Sequence, residues 1–352
     1  MMSMPLANAG TALMWGAAIH LLIGNLLIGF LEGLLLWRIF RVKFLKAAFI
    51  MIAANYVSAW AAYMILQGLS AHLYDIVNLY NIQRMLRIGF GAAFVFTVLI
   101  ELPFVGLLFY KQRRWIFRSI AACLLIHAIS YVPLYGWYRL VSAEGVLKNA
   151  SVLNLSDYVV RNPEAVVYYI GDQSAVYRLR LDGSEVKVIH KLEQQEGKPF
   201  LFFNYSENRG EADLNLGWSE GVYMLITQGS ECLRESILSD SDIPSLPNEH
   251  GMQVTDYRPS EERHWNIEAG FWEMEGLAMR NREGGKWVNI ALETPFVQWL
   301  VRHVTVLPGD EIIFQFGEQI CIFDRESRKL ALLAHGSSPV VILKTNDPSE
   351  RQ

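Results

Sequence analysis

Four long apolar runs, in which charged residues are rare, fill the first 140 residues of the chain. Each run is about as long as the ~20 residues that a helix needs to cross a bilayer. The runs are Thr11–Trp37, Lys46–Gly68, Ile88–Tyr110 and Phe117–Tyr138. The pattern predicts a four-helix transmembrane bundle in residues 1–140.

The segment "HLYDIVNLYNIQRMLR" between the second and third runs has apolar residues at helical spacing. This spacing predicts either an amphipathic surface helix or an early start of the third span.

The rest of the chain, residues 141–352, has a different pattern, because from about Tyr158 the apolar residues recur with a period of two. In "AVVYYIGDQSAVYRLRLDGSEVKVIHKL", residues 165–192, β-branched and aromatic residues alternate between turn formers at 171–172 and 182–183. This alternation predicts a three-stranded antiparallel meander. The second part of the chain is therefore expected to be a separate, all-β domain.

The same plan recurs near the end of the chain. Residues 310–343 read as strands separated by turns near 317–318 and 324–325, with another strand after Pro339. Between the two regions, "PFLFFNYSE", "VYMLITQ" and "KWVNIAL" have the composition of further strands.

Two of these segments, "VYRLRLDGSEVKVI" and "QICIFDRESRKLALL", resemble the inner strand, turn and outer strand of β-propeller blades in TolB-like repeats. About four units of roughly 40 to 50 residues would fit in the domain. The resemblance implies a partial or small β-propeller, and a β-sandwich is the alternative. Both folds support many unrelated functions, so neither implies a particular chemistry.

The charge distribution differs between the two parts and predicts the orientation of the chain. Residues 1–138 contain three acids and ten bases, so 32 of the 35 acids and 21 of the 31 bases lie beyond them, a net charge of −11. The bases of the first part cluster in the loops at 38–46 and 111–118. Short basic loops stay in the cytoplasm. The N-terminus and the β domain are therefore expected outside the cytoplasm, and the negative domain is not expected to bind nucleic acid.

Four polar residues interrupt the apolar runs at a similar depth. Glu32, Asn55, Glu101 and His127 lie six to ten residues from the nearest cytoplasmic base, or roughly 9 to 15 Å along a helix. The spacing of Asn25, Gly29, Glu32 and Gly33 places these four on one side of the first helix. Gly29 and Gly33 form a small-xxx-small pair that allows another helix to approach closely, so Glu32 is expected to face protein.

Two interpretations of Glu32, Asn55, Glu101 and His127 follow. In the first, the residues hydrogen-bond the helices to one another. In the second, the two carboxylates and the imidazole form a proton or metal site, since ionisable residues in membrane spans often mark ion pathways. No spaced ligand motif such as HxxxH or CxxC favours a metal, and the sequence identifies no cofactor.

The β domain contains none of the common catalytic motifs: GxSxG, HExxH, a P-loop and a dinucleotide fingerprint are all missing. The first functional hypothesis is therefore a non-enzymatic membrane protein that anchors an extracytoplasmic β domain for binding or scaffolding a protein partner. The alternative is ion-coupled or metal transport through the intramembrane cluster. Under the predicted topology Cys232 and Cys321 share an oxidising compartment, and the sequence leaves open whether they form a disulfide.

Overall fold

The computed structural model describes residues 11–171, 174–192, 199–206, 211–217, 223–227, 233–236, 254–269, 276–282 and 284–342. They form two compact units. The helical unit comprises residues 11–144 together with Leu292–Gln298, which include one end of each of two β-strands, and the β unit comprises the other described residues.

The helical unit contains four helices that are long and apolar enough to cross a membrane. The predicted spans are thus confirmed as helices. The third begins earlier than the predicted Ile88, at Ile82. The alternative of a separate amphipathic surface helix is wrong, because the second helix continues to Ile76 and the third already begins at Ile82. The helices are α1 Ala12–Phe40, α2 Phe44–Ile76, α3 Ile82–Phe109 and α4 Trp115–Val141.

Two asparagines form the turn that separates α2 from α3. The Asn78 Oδ1 atom accepts hydrogen bonds from the backbone amides of Tyr80 at 3.0 Å and Asn81 at 3.2 Å. In return, Asn81 Oδ1 accepts a bond from the amide of Asn78 at 2.8 Å. Asparagine side chains bind nearby backbone in this way at turns, so the polar pair ends one helix and starts the next.

A π-helical turn, His20–Gly24, interrupts the α-helical hydrogen bonding of α1. Side chains bind two of its carbonyl groups: Asn25 Nδ2 donates to Leu21 O at 3.2 Å, and the Tyr56 hydroxyl donates to Leu22 O. π-Helical turns within α-helices are frequent near functional sites.

Helices α1 and α2 pack with their backbones in close contact. A Cβ atom placed on Gly29 would lie 2.6 Å from Ile52 Cα, and one on Gly33 would lie 2.5 Å from Ala48 Cα. Only glycine fits at such distances, as the small-xxx-small pair predicted. The same face of α1 places Asn25 and Glu32 in the interior, where they are 2% and 1% exposed.

The end of the bundle that carries the basic loops has a tightly packed apolar core, to which all four helices contribute. The members of this basic-end core are fully or almost fully buried. They are Leu36, Val42, Ala47, Met51, Ala54, Val105, Phe109, Ala122, Cys123 and Ile126.

The β unit consists mainly of antiparallel strands, preceded by the short helix α5, Gly145–Asn149. Within the described residues the strands are β1 Ser151–Leu153, β2 Val166–Gly171, β3 Ala175–Arg180, β4 Lys187–Lys191, β5 Phe200–Ser206, β6 Glu211–Gly217, β7 Tyr223–Thr227, β8 Leu233–Ser236, β9 Val254–Asp256, β10 Trp265–Ala269, β11 Gly276–Asn281, β12 Trp287–Glu293, β13 Gln298–Trp299, β14 Val301–Leu307, β15 Glu311–Phe316, β16 Gln319–Asp324, β17 Lys329–His335 and β18 Ser337–Ile342.

These strands form four sheets. Sheet A has the order β1-β17-β16-β15-β14-β9, sheet B β18-β2-β3-β4, sheet C β5-β6-β7-β8 and sheet D β10-β11-β12-β13. The strands predicted in residues 165–192 are confirmed as β2, β3 and β4. The strand predicted after Pro339 begins earlier, at Ser337, and contains the proline.

Sheet B is covered on both faces. Val167, Tyr169 and Leu179 on one face pack against the buried residues of sheet A. Ile170 and Val176 on the opposite face pack with Leu201 and Leu216 of sheet C. Since side chains alternate between the faces of a strand, the apolar residues of sheet B serve two cores. A two-layer sandwich would need only one buried face per sheet.

A network of arginines and aspartates lies inside the β unit. Arg258, which is 2% exposed, donates to Asp256 at 2.9 Å and to Asp310 at 2.6 Å. Arg325 also binds Asp310, and its guanidinium lies 4.5 Å from the centre of the Trp265 ring. This network offsets the cost of burying its charges.

Candidate cation-binding centre

The structure brings together the four residues that were predicted as a polar site, one from each helix. Glu32 lies on α1, Asn55 on α2, Glu101 on α3 and His127 on α4. Their exposed fractions are 1%, 6%, 0% and 1%. Ser58 of α2 and Ser130 of α4 complete the group through hydrogen bonds to the carboxylates. We call these six residues the polar centre.

Glu32 accepts hydrogen bonds from three side chains of the polar centre. Asn55 Nδ2 donates to Glu32 Oε2 at 2.6 Å, and Ser130 Oγ donates to Glu32 Oε1 at 2.7 Å. The His127 Nδ1 atom lies 3.1 Å from Glu32 Oε1. Both carboxylate oxygens of Glu32 therefore have partners, and the carboxylate holds one edge of the His127 ring in place.

Within the described residues, only one carboxylate oxygen of Glu101 accepts a hydrogen bond. Its Oε1 atom accepts a hydrogen bond from Ser58 Oγ at 2.6 Å. Its Oε2 atom faces His127 Nε2 at 3.5 Å, and neither of these two buried atoms has a hydrogen-bond partner in the described part of the chain. Buried polar atoms are nearly always satisfied, so an opposed pair of this kind calls for an explanation.

The arrangement has the ligand types and the spacing of a small-cation site. One oxygen of Glu32, one oxygen of Glu101 and one ring nitrogen of His127 lie within 4.8 Å of one another. Carboxylate oxygens and imidazole nitrogens are common metal ligands, and they also exchange protons. The centre therefore offers the ligand types that bind a proton or a metal ion.

A cavity of about 160 Å³ extends from the polar centre towards the N-terminal end of α1. This volume is large enough for several water molecules. The cavity reaches His20, about 18 Å along α1 from Glu32. Its polar lining between these levels consists of Asn25, Thr97, Ser130, Tyr131 and Tyr138. The hydroxyl of Tyr138 lies 2.7 Å from His20 Nδ1 at the far end.

The polar centre lies between this cavity and the basic-end core. Along α2 the cavity lining begins at Asn55 and continues to Leu66, whereas Met51 and Ala54 belong to the core. Along α4 the lining begins at His127, and Ile126 belongs to the core. The cavity is therefore on one side of the centre only.

Sequence reasoning missed the two serines of the polar centre. Ser58 follows Asn55 by three residues, and Ser130 follows His127 by three residues. Residues at this spacing lie on the same face of a helix, so the signal was present in the sequence. Asn25 was correctly placed on the buried face, and its side chain donates a hydrogen bond to the backbone of α1 at Leu21 O.

Of the two cysteines in the β domain, the described residues include Cys321 only. Cys321 is a free and fully buried thiol in β16, and burial raises its pKa far above the usual value. Cys232 lies outside the described residues. The described residues thus do not test whether Cys232 and Cys321 form a disulfide.

Solved structures with weak similarity to this chain include two named proteins. No family model and no curated protein matches the chain. The WD40 domain of SCAP from fission yeast is similar with a TM-score of 0.18 and 11% identity, covering 48% of this chain and 41% of that one. TolB from Acinetobacter baumannii is similar with a TM-score of 0.19 and 7% identity, covering 60% of this chain and 59% of that one.

These values confirm the weak resemblance to TolB-like repeats that the two strand–turn–strand segments indicated. The chain spans less than two thirds of the length of either solved chain. At these TM-scores the matches add nothing to the description of the polar centre.

Proposed function

We propose that the protein is a multi-pass membrane protein whose helical unit binds a proton or a small cation at the polar centre, as part of ion-coupled or metal transport. The observation that carries this proposal is the opposed pair of unpartnered, fully buried atoms, His127 Nε2 and Glu101 Oε2, at 3.5 Å. A proton or a metal ion placed between these atoms would satisfy both of them.

The alternative role of the cluster, hydrogen bonding that only joins the helices, accounts for part of the geometry. It explains Glu32, whose oxygens have three donors. It does not explain Glu101, which adds a second carboxylate to the interior and leaves one oxygen without a partner. A partly satisfied buried network is less stable than an apolar core, so a purely structural role would not favour this residue.

The one-sided cavity supports a binding site rather than an open channel. A continuous pore would require polar residues on both sides of the centre, but the basic end of the bundle is filled by the apolar core. The basic loops predict that this closed end faces the cytoplasm. We therefore propose that this conformation admits the cation from outside and that another conformation would release it.

The same topology predicts on which side of the membrane the β unit would lie. An even number of spans returns the chain to the side on which it began, so the N-terminus and residues 141–352 would both lie outside the cytoplasm. The two covered faces of sheet B favour a partial β-propeller over a β-sandwich.

Partner binding or scaffolding by the β unit is the second candidate function. The observation that favours it is that the buried arginines and aspartates described in this unit neutralise one another, as Arg258 does with Asp256 and Asp310. Charges committed to such a network hold the fold together and are not free for chemistry. The surface of the unit would then supply its function, through a protein partner outside the cytoplasm.

Cation uptake by full-length protein in liposomes tests the first proposal. The liposomes would contain a pH-sensitive and a metal-sensitive dye, and wild type would be compared with Glu32→Gln/Glu101→Gln. The control is Glu268→Gln, which makes the same chemical change at an exposed residue of β10.

We expect cation uptake, measured as a change in the dye signal, in wild type and in the control. The change should be at least tenfold smaller in the double variant. Equal signals in all three proteins, with the double variant folded, would overturn the proposal and leave partner binding as the remaining candidate.

A further inference from the structure

We infer that the polar centre takes a divalent transition-metal ion of the zinc type, bound by His127 Nε2 and Glu101 Oε2, with Glu32 as the residue that orients His127. This inference rests on the proposed function and narrows the class of cation. It assigns different roles to Glu32 and Glu101, for which the sequence analysis predicted the same role.

The separation of the two candidate ligand atoms fits such an ion. Zinc binds imidazole nitrogen at about 2.0–2.1 Å and carboxylate oxygen at about 2.0–2.2 Å, in tetrahedral geometry. Two ligands at these lengths and at a tetrahedral angle lie about 3.4 Å apart. The observed distance from His127 Nε2 to Glu101 Oε2 is 3.5 Å. The ion would need almost no movement of either side chain.

The opposite edge of the His127 ring is arranged as in metal-binding histidines. Such residues usually donate their other ring N–H to a carboxylate, which fixes the tautomer and directs the free nitrogen at the metal. Here Nδ1 lies 3.1 Å from Glu32 Oε1. With the proton on Nδ1, the lone pair of Nε2 points towards Glu101. Ser130 and Asn55 hold Glu32 in turn, at 2.7 and 2.6 Å.

The donor types select among the metals. An imidazole nitrogen with carboxylate oxygens suits zinc and the neighbouring divalent transition metals, whereas calcium and magnesium prefer oxygen ligands alone. Among the described residues, the group of possible ligands contains two glutamates and a histidine and no cysteine. Two protein ligands leave positions for water or for a ligand from the adjoining cavity, as in zinc sites that keep an open position.

Charge balance supports a divalent ion. Glu32 and Glu101 each face a ring nitrogen of His127, at 3.1 and 3.5 Å. This ring supplies at most one positive charge. Two buried carboxylates need two positive charges to be neutral, and uncompensated buried charge is costly. A divalent ion beside a neutral imidazole provides this balance within the centre.

The test uses purified full-length protein in nanodiscs with Co²⁺ as a spectroscopic probe. Wild type is expected to bind one Co²⁺ per chain in equilibrium dialysis, with the intense visible absorption of tetrahedral cobalt, and Zn²⁺ should displace it.

Three variants of the polar centre test the assigned roles. Glu101→Gln and His127→Ala should each weaken Co²⁺ binding by at least a hundredfold. Glu32→Gln should weaken it by about 10- to 100-fold and keep the spectrum, as expected for a residue that acts through a ligand. Glu268→Gln, at the exposed residue of β10, is the matched control and should bind as wild type does.

Thermal unfolding with Zn²⁺ provides a readout that separates loss of binding from loss of folding. A metal that binds the folded protein raises the midpoint of unfolding. Zn²⁺ should raise it in wild type and in Glu268→Gln but not in Glu101→Gln, whose own transition shows that it is folded.

Absence of saturable Co²⁺ and Zn²⁺ binding in wild type would overturn the metal inference. If liposome uptake were still lost in Glu32→Gln/Glu101→Gln, the proposed function would stand with a proton as the cation. A changed cobalt spectrum in Glu32→Gln would instead make Glu32 a ligand and contradict the assignment of roles.

Discussion

At the residue scale, the two buried carboxylates of the polar centre differ in their hydrogen bonding. Glu32 accepts three side-chain hydrogen bonds, from Asn55, Ser130 and His127. Glu101 accepts one, from Ser58. Stability should therefore depend more on Glu32, and ligand binding more on Glu101.

The first prediction compares Glu32→Gln with Glu101→Gln in the absence of added cations. A glutamine at position 32 replaces one accepting oxygen by a donor, so at least one buried hydrogen bond is lost. The free energy of unfolding should fall by about 1–3 kcal/mol. Glu101→Gln keeps an oxygen for Ser58 and should cost less. Thermal unfolding in nanodiscs measures both, and a larger loss for Glu101→Gln would contradict this assignment.

The second prediction concerns His303 in the β unit. Burial, with a smaller effect of Arg302, lowers the pKa of His303 from 6.5 to about 4. The unfolded chain therefore binds more protons than the folded one between these values. The stability that the neutral ring provides is complete above pH 6.5 and is lost as the pH falls towards 4.

Urea unfolding of the β unit at pH 7 and pH 5, with proteolysis as the readout of unfolding, measures how its stability depends on pH. The histidine should account for a loss of at most about 2 kcal/mol over this interval. His303→Asn should reduce the pH dependence, and an unchanged pH dependence in the variant would show that His303 does not cause it.

The residues of the polar centre show which part of a site can be predicted. Depth along the predicted helices was enough to group Glu32, Asn55, Glu101 and His127. The partners of each carboxylate depend on helix rotation and packing, which the apolar pattern does not define to within a hydrogen-bond length. The unpartnered pair could therefore be found only from the structure.

At the element scale, the contact between α1 and α2 depends on Gly29 and Gly33. This contact brings Glu32 of α1 to Asn55 of α2, which donates to it at 2.6 Å. The close approach of the helices and the geometry of the polar centre are thus coupled.

The third prediction tests this coupling with Gly33→Ala. Its Cβ would lie 2.5 Å from Ala48 Cα, and a backbone atom cannot move aside as a flexible side chain can. The helices must separate, so the midpoint of thermal unfolding should fall and cation binding should weaken. Gly91→Ala in α3 is the matched control, because nothing lies within 4 Å of its added Cβ. Equal midpoints for the two variants would rule out the proposed contact.

The strands show a similar division between predictable and unpredictable elements. Alternation of residue types identified β2, β3 and β4, whose burial varies along each strand. Strand β14 was missed. Its consecutive residues Val304–Leu307 are all buried, as are the residues of β15 and β16, which the turns at 317–318 and 324–325 made recognisable. A strand buried on both faces cannot be distinguished from other apolar segments by its period.

At the scale of the whole molecule, the one-sided cavity and the basic loops lie at opposite ends of the helical bundle. The basic loops predict which end of the bundle faces the cytoplasm, and the structure places the apolar core at that end. The four spans were predictable because each apolar run is long. The cavity was not, because it depends on how side chains of four helices pack.

The fourth prediction concerns access to this cavity. In a chain whose three cysteines are replaced by alanine, Ala62→Cys on the cavity lining should react with a membrane-impermeant thiol reagent added outside. Ala54→Cys on the same helix lies in the basic-end core with an exposed fraction of 0% and should not react. Labelling of Ala54→Cys, or of Ala62→Cys only from the cytoplasmic side, would contradict the one-sided, outward-facing cavity.

Nitrogen NMR of the full-length protein in nanodiscs, with ¹⁵N-labelled histidine, tests most directly whether the polar centre binds a cation. The spectrum of His127→Ala identifies which of the eight histidine signals belongs to His127. We predict that the Nε2 resonance of His127 shifts when Zn²⁺ is added or when the pH changes, and that Glu101→Gln suppresses the response to Zn²⁺. A His127 signal that responds to neither would contradict the account.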